Sequence, residues 1–600
     1  MASGTSAAPS LFLRNATGLV KGWSGFDAFT YSFMSVNLVT LGMFYSLAVF
    51  AYVPGASPVL SIVLAAIAVT FLAVAYAGLI AAMPRAGGDY IWQSRVLDGI
   101  PGIVVGAVVG GVAAYLAGQA IGLDETVAYG AGVVGLVVGG AIGWLKGGIG
   151  FVLAATGWWF ILALWAPIYG FILKIEFFQP LAALFGSSDG VDFFATSEGT
   201  LLVSLIVIVL TSGLVALGMA GYARIQRLCL YAGLIGFAIV AILMVISSQA
   251  DFKAAFDREA QSLFGVTGAY DQTLADAAAN DGFTGSLEPL AMGDDFGATV
   301  SATLAMIPFM LFWILYPNWG STLYGEVRGS GDFRKVLRGM LGGIWVTAGL
   351  AIAFVLLAAK TFGWQFYNAT NVNYINYAYG YTETAPTVPI WSYPPLIASY
   401  LVDNSIFQIA LVVLFAAWFL GWSGTLFLSS TRMIFAAAFD RILPESAARV
   451  SEGRAVPIIA LLFIMVPSVI LSIAYAYSTD FVALTLDATL VIAVTFLGSA
   501  VAATILPWWK PRIFENSPIA HLKWVVSGAG LITSIWLIWT LREWLFQADN
   551  LYGIGVGNTN SIIFLGALYG LAALVYVVAR LYRRSQGVDL DAIHSEIPAE

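Results

Sequence analysis

Side chains that could do covalent chemistry are scarce in this chain, and where its polar residues gather the chemistry open to them is binding. Cys229 is the only cysteine, so no intrachain disulfide and no cysteine metal site can form. His521 and His594 are the only histidines, both near segments expected to be wet. No Ser-His-Asp, Cys-His or His-carboxylate set is available, and no glycine-rich phosphate cradle precedes a soluble helix. Neither an enzyme nor a bound cofactor is expected. Two polar runs interrupt apolar stretches: Ser35-Val36-Asn37-Leu38-Val39-Thr40-Leu41-Gly42 and Tyr316-Pro317-Asn318-Trp319-Gly320. Proline removes a helix hydrogen bond, and Asn and Gly tolerate non-helical backbone. At membrane depth such backbone survives only where it lines a cavity or is buried in protein. The second run reads as a cavity-lining break more readily than as a proline kink. The first is the weaker signal, because Ser, Thr and Gly are ordinary in spanning helices. Freed amides can hold a carboxylate, and freed carbonyls an ammonium or a cation. Asp487 is the clearest ionisable residue inside an apolar run, a candidate for gating, amine recognition or proton coupling, or a carboxylate satisfied near the interface.

The elements holding these runs cannot belong to a water-soluble core. Hydrophobic residues make up 60% of the 600 and charged residues 10%, against roughly 25% charged in soluble domains. The net charge of -8, with basic residues in short loops, offers nothing to nucleic acid. A span needs about 20 apolar residues, and fourteen runs qualify, near 27-52, 58-83, 101-122, 126-145, 150-175, 199-219, 226-248, 299-324, 339-360, 403-430, 455-477, 481-506, 523-546 and 561-582. Runs of this length must be helices, which satisfy their own backbone in lipid. With the N-terminus inside and sides alternating, only Lys174, Lys253, Arg258, Lys360 and Arg542 of the 26 Lys and Arg residues fall outside. That asymmetry predicts a multi-pass protein of the cell membrane with both termini cytoplasmic. No apolar core of signal-peptide length precedes the first span, so the spans themselves are expected to drive insertion. The expected layout is a tail over 1-22, a transmembrane domain over 23-584 and a tail over 585-600, with long outer loops at 250-298 (acidic) and 361-402. Asn368-Ala369-Thr370 in the second loop is a glycosylation triplet.

Three further runs carry a resemblance. Pro84-Arg85-Ala86-Gly87-Gly88-Asp89-Tyr90-Ile91-Trp92-Gln93-Ser94-Arg95 follows the second span, Gly325-Glu326-Val327-Arg328 closes the 299-324 span, and Ser430-Thr431-Arg432 leads into Ala436-Ala437-Ala438-Phe439-Asp440-Arg441-Ile442-Leu443-Pro444. In this order, each at the inner face, they resemble the signatures of the amino acid-polyamine-organocation superfamily, from about Gly22 to Trp509. The resemblance implies a leucine-transporter-like fold, all-α, with two inverted five-helix repeats whose first helices are broken at the midplane. It implies a secondary transporter of amino acids with Ser35, Val36, Asn37, Thr40, Gly42, Tyr316, Asn318, Trp319 and Gly320 about the substrate. Asp487 would stand near an outer gate, and Glu326 would pair at the inner gate with an arginine such as Arg95 or Arg432. Ser423 and Thr425 can offer oxygens to sodium with the carbonyl near Val36, or bond back to their own helix. No lysine occupies the middle of the 226-248 span, so a fixed ammonium there is absent and the driving ion, Na+ or H+, stays open, as does exchange without an ion. A polyamine or organic-cation exchanger is the alternative within transport, and a non-transporting nutrient sensor the alternative outside it.

Residues 99-149 depart from that pattern as an inserted pair of spans beyond the twelve core ones. Gly102, Gly106, Gly110, Ala114, Gly118 and Gly122 recur every fourth residue, and Ala131, Gly135, Gly139, Gly143 and Gly147 repeat the stripe. Small residues let helices approach closely in lipid, which predicts a hairpin with facing stripes. Its roles would be contact in a homo-oligomer or bracing of the core, against a lipid-facing appendage.

Overall fold

The computed structural model describes residues 19, 21–280, 283, 285–478, 481, 484, 487–547 and 551–597. The expected N-terminal tail and the start of the 481-506 span therefore lie largely outside the described residues. The described chain is helical, apart from an isolated bridge between Trp23 and Val327. Thirteen helices are long and apolar enough to cross a membrane. Large apolar side chains such as Val133, Val209, Ile246, Ile470 and Leu581 stand exposed on them, as they must where the surrounding solvent is hydrocarbon. The chain is an all-α, multi-pass membrane protein.

The count differs from the expected fourteen because the first run is no continuous helix. It folds as Gly25–Ser35, an extended step at Val36 and Asn37, then the widened turn Leu38–Gly42 and Met43–Tyr45. The other expected spans have counterparts, with Gly148–Leu184 and Phe333–Ala378 running well beyond their predicted ends. The two long outer segments are also more ordered than loops. Ser248 and Asp251 form a capping box that starts Gln249–Phe264, followed by Ala269–Asn280, Trp364–Ala378 and Pro394–Ser399. Phe252 lies 4.5 Å from Phe362, and Tyr270 stacks on Phe366 at 4.1 Å. The sequence hid these elements because their period is short and their polarity high. Asn368 is buried and its Nδ2 donates to the Trp364 carbonyl at 2.8 Å, so the glycosylation triplet is no surface acceptor.

The inserted pair forms the predicted hairpin, Gly99–Ala120 against Glu125–Trp144, with Asp124 capping the second helix. The glycines are needed for their lack of Cβ. One added to Gly106 would sit 2.2 Å from the Gly139 carbonyl oxygen, and one on Gly143 1.9 Å from that of Gly102. The two backbones are in direct contact along the stripes.

Candidate functional site

Two interruptions of helix lie side by side. In the first, Val36 closes Gly25–Ser35 by donating to the Ser32 carbonyl, and Asn37 caps the outgoing turn by accepting from the Thr40 amide at 3.2 Å. The Asn37 amide also contacts the Thr40 hydroxyl, and Trp418 Nε1 donates to Asn37 Oδ1 at 2.9 Å. In the second, Phe296–Ile314 ends before Pro317, and a tight 3-10 run, Trp319–Glu326, resumes the path. Pro317 leaves a carbonyl to be satisfied, and Ser32 Oγ from the first element donates to it at 2.8 Å. The predicted breaks at Ser35 to Gly42 and Tyr316 to Gly320 thus exist, and the helix leading into the first is bonded to the second through Ser32 and Pro317. Ser35 bonds back to the Tyr31 carbonyl at 2.7 Å. Gly42 lies against Trp313 and Gly320 against Tyr31, where a Cβ would come within 3.3 Å of each ring. Asn318 is fully buried with neither amide atom hydrogen-bonded, although a buried amide left without partners costs about 1–3 kcal/mol.

Aromatic rings close the space around the breaks. Trp165 and Trp319 stack at 5.4 Å and 9°, Trp158 lies 4.6 Å from Trp319, and Tyr316 meets Trp165 edge-on at 5.7 Å. Tyr316 shares a hydrogen bond of 2.8 Å with Thr489, and Trp319 Nε1 donates to the Thr425 carbonyl at 3.2 Å. A void of about 20 Å³ remains, bounded by Leu41, Tyr45, Trp165, Tyr169, Phe312 and Thr489. That is the space of about one water. This conformation is shut, and any solute would have to part the rings.

The end that carries most of the arginines is held by buried ion pairs. Arg432 grips Glu326 through Nε at 2.7 Å and Nη2 at 3.1 Å. Of the two arginines expected for Glu326, Arg432 is thus the partner. Arg95 instead reaches Asp440 at 2.6 Å, and the Tyr90 hydroxyl donates to the same carboxylate at 2.8 Å. The C-terminal segment covers this pair. Leu590–Ile593 tucks against the bundle, Arg580 pairs with Asp591, Lys146 donates to Ser595 at 2.8 Å, and Arg95 Nε reaches the Glu596 carbonyl at 3.3 Å. His594, expected to be wet, is buried within 3.1 Å of the Tyr90 hydroxyl. Its burial follows from Leu590 and Ile593, which supply an apolar face too short to read as a helix. Outside the membrane-spanning segments, the Asp591 carboxyl is held below its ordinary range by the Arg580 guanidinium.

The remaining predicted residues fall away from the breaks or on their edge. Asp487 is buried and accepts from Ser561 at 2.5 Å, on the face turned to the helix Thr559–Ser585. Thr489, two residues on, is the one that faces Tyr316. Ser423 bonds back to the Leu420 carbonyl at 3.0 Å, whereas the Thr425 hydroxyl is buried without a partner. Sequence reasoning quoted Asp89, Gln93 and Asp440 inside longer runs without giving them a role. Their signal was a charged or amide side chain next to a spanning run, masked because hydropathy placed them in a connecting loop. Compared with protein-family models and with curated proteins, the chain matches none.

Proposed function

We propose that the chain is a secondary transporter of the leucine-transporter-like architecture, moving α-amino acids across the cell membrane by alternating access between the two broken helices. The observation that carries this reading is that the helices interrupted at Val36–Asn37 and Leu315–Asn318, each within a long apolar run, are joined by the bond from Ser32 to the Pro317 carbonyl. The run from Leu38 presents the amide end of a helix, which favours a carboxylate, while the last turn of Phe296–Ile314 ends in carbonyls, which favour an ammonium. A zwitterion bearing both groups on one carbon meets both at once. The Asn318 amide, buried without partners, would complete the shell. The Trp165–Trp319 stack would open to admit the cargo, and the Glu326–Arg432 and Arg95–Asp440 pairs would part to release it on the inner side.

A polyamine cargo would call for carboxylates free to face the breaks; Asp487 turns to Ser561, and the oxygens of Asp89 are already held by Tyr76, Ser499 and Ser321. The test is counterflow in proteoliposomes. Vesicles loaded with unlabelled amino acid should take up labelled amino acid in an Asn318-dependent manner. A protein that binds amino acids yet exchanges none would be a sensor, and one that binds none would end the reading.

A further inference from the structure

We infer that Asp89 is the proton-carrying group of this transport, taking up H+ at the closed end of the substrate site and releasing it when the inner gate opens. The inference rests on the transport reading above. Asp89 is fully buried and its oxygens are held by hydroxyls from three separate elements: Tyr76 of Pro58–Ala82, Ser499 of Asp487–Trp509 at 2.6 Å, and Ser321 of Trp319–Glu326 at 2.8 Å. Ser499 in turn accepts from Trp92 Nε1 at 2.6 Å and Gln93 Nε2 at 2.8 Å. The Gly-Gly pair makes this approach possible. Gly87 and Gly88 take φ of +97° and +44°, and a Cβ on Gly88 would strike the Ser321 carbonyl carbon at 2.6 Å.

The position links cargo to gate. Ser321 N donates to the Asn318 carbonyl at 2.7 Å. Five residues beyond Ser321, Glu326 forms the buried pair with Arg432. Among the described residues no Lys or Arg forms an ion pair with Asp89. On its own helix Arg95 is committed to Asp440, and Arg85, one turn before, donates to the Pro84 carbonyl. Gly148–Leu173 and the stretch from Ala488 to Trp509 contain no acidic or basic residue, and Glu326 and Arg432 hold each other. The titratable neighbours are Tyr76 and Tyr90.

The step balances with a proton alone. The ionised carboxylate accepts three O–H bonds. When it takes H+ from water it becomes a carboxylic acid, whose protonated oxygen must donate. Ser321 Oγ is the hydroxyl able to reverse and accept. The Asp89–Ser321–Ser499–Tyr76 clamp then loosens, and the half-helix Trp319–Glu326 is free to move with its gate. Loss of H+ to the opposite side restores the clamp.

Two measurements on purified full-length protein test this. Infrared spectra of the wild type minus Asp89→Asn should show a carboxylic acid band that grows as the pH is lowered over the range in which the protein stays folded, and Tyr76→Phe, which removes one donor to the ionised form, should move that titration upward. In proteoliposomes, an inward proton gradient should concentrate amino acid in the wild type, and the ratio of gradient-driven accumulation to counterflow should fall at least tenfold in Asp89→Asn. An Asp89 that stays ionised across that range, or an unchanged ratio, overturns the assignment. Wild-type exchange that ignores the gradient overturns it too and leaves transport standing. Absence of any exchange overturns both.

Discussion

At the scale of single residues, the structure separates buried polar side chains that satisfy one another from those left without a partner. Glu326 and Arg432 belong to the first kind. Both are buried, and their two hydrogen bonds satisfy charges that lipid-embedded protein would otherwise strand. Removing one partner of such a pair costs about 3–5 kcal/mol, whereas replacing both by apolar groups is often neutral. Arg432→Met alone should therefore lower the melting temperature in detergent far more than Arg432→Met combined with Glu326→Leu. Equal losses would mean that the pair contributes nothing beyond its volume. Asn318 belongs to the second kind. Asn318→Ala should leave the ligand-free melting temperature unchanged or raised, because an unsatisfied amide is removed, and should weaken ligand binding by about 1–3 kcal/mol, roughly fivefold to 150-fold. Thermal melting with and without ligand reads both effects.

At the scale of elements, the hairpin and the C-terminal segment make opposite demands on their sequences. The hairpin is specified by what its residues lack. Gly106→Leu puts a side chain where the Gly139 carbonyl stands 2.2 Å from the added Cβ, and the helices must separate. Gly111→Cys with Leu136→Cys, where an added Cβ on Gly111 would lie 3.4 Å from that of Leu136, should cross-link readily when the stripes touch and lose that cross-link in Gly106→Leu; retention would show that the stripes tolerate bulk. The C-terminal segment is specified by a few contacts that cover Arg95 and Asp440. Truncation before Asp589 uncovers this end, and labelling of Cys229, buried beside Gly421 and Met34, should become several-fold faster. Unchanged labelling would make the segment an ornament of the gate. The pH dependence of its docking has a definite sign. Arg580 depresses the Asp591 pKa below its unfolded value, so this contribution is fully present above the ordinary carboxylate pKa of about 4 and is lost as pH falls through the depressed value. The melting temperature of the intact chain in detergent should exceed that of the truncated chain from neutral pH to about 4, and the difference should shrink only below it.

At the scale of the whole molecule, the legible part was what lipid enforces. A bilayer admits helices of fixed length with apolar surfaces, so the spans, the glycine stripes and the polar interruptions at Asn37 and Asn318 could be read from residue type alone. Pairing between distant elements could not. Nothing in the run around Asp440 says that it meets Arg95 rather than Arg432, and the segment ending in His594 looks like an ordinary polar tail until Leu590 and Ile593 find a surface. Asp487 drew attention as the charge in an apolar run, yet a period of 3.6 residues decides which way it faces, and Thr489 rather than Asp487 reaches Tyr316. The central claim is that two neighbouring breaks clasp the amine and carboxylate of one molecule. Its most direct test is thermal melting of the purified protein with a set of common amino acids, each beside its decarboxylated and deaminated analogues. A binder at a hundredfold excess over Kd stabilises by about 2.7 kcal/mol. The account predicts that shift for at least one intact amino acid and little or none for either truncated analogue. Equal stabilisation by the amine alone, or none by any amino acid, would contradict it.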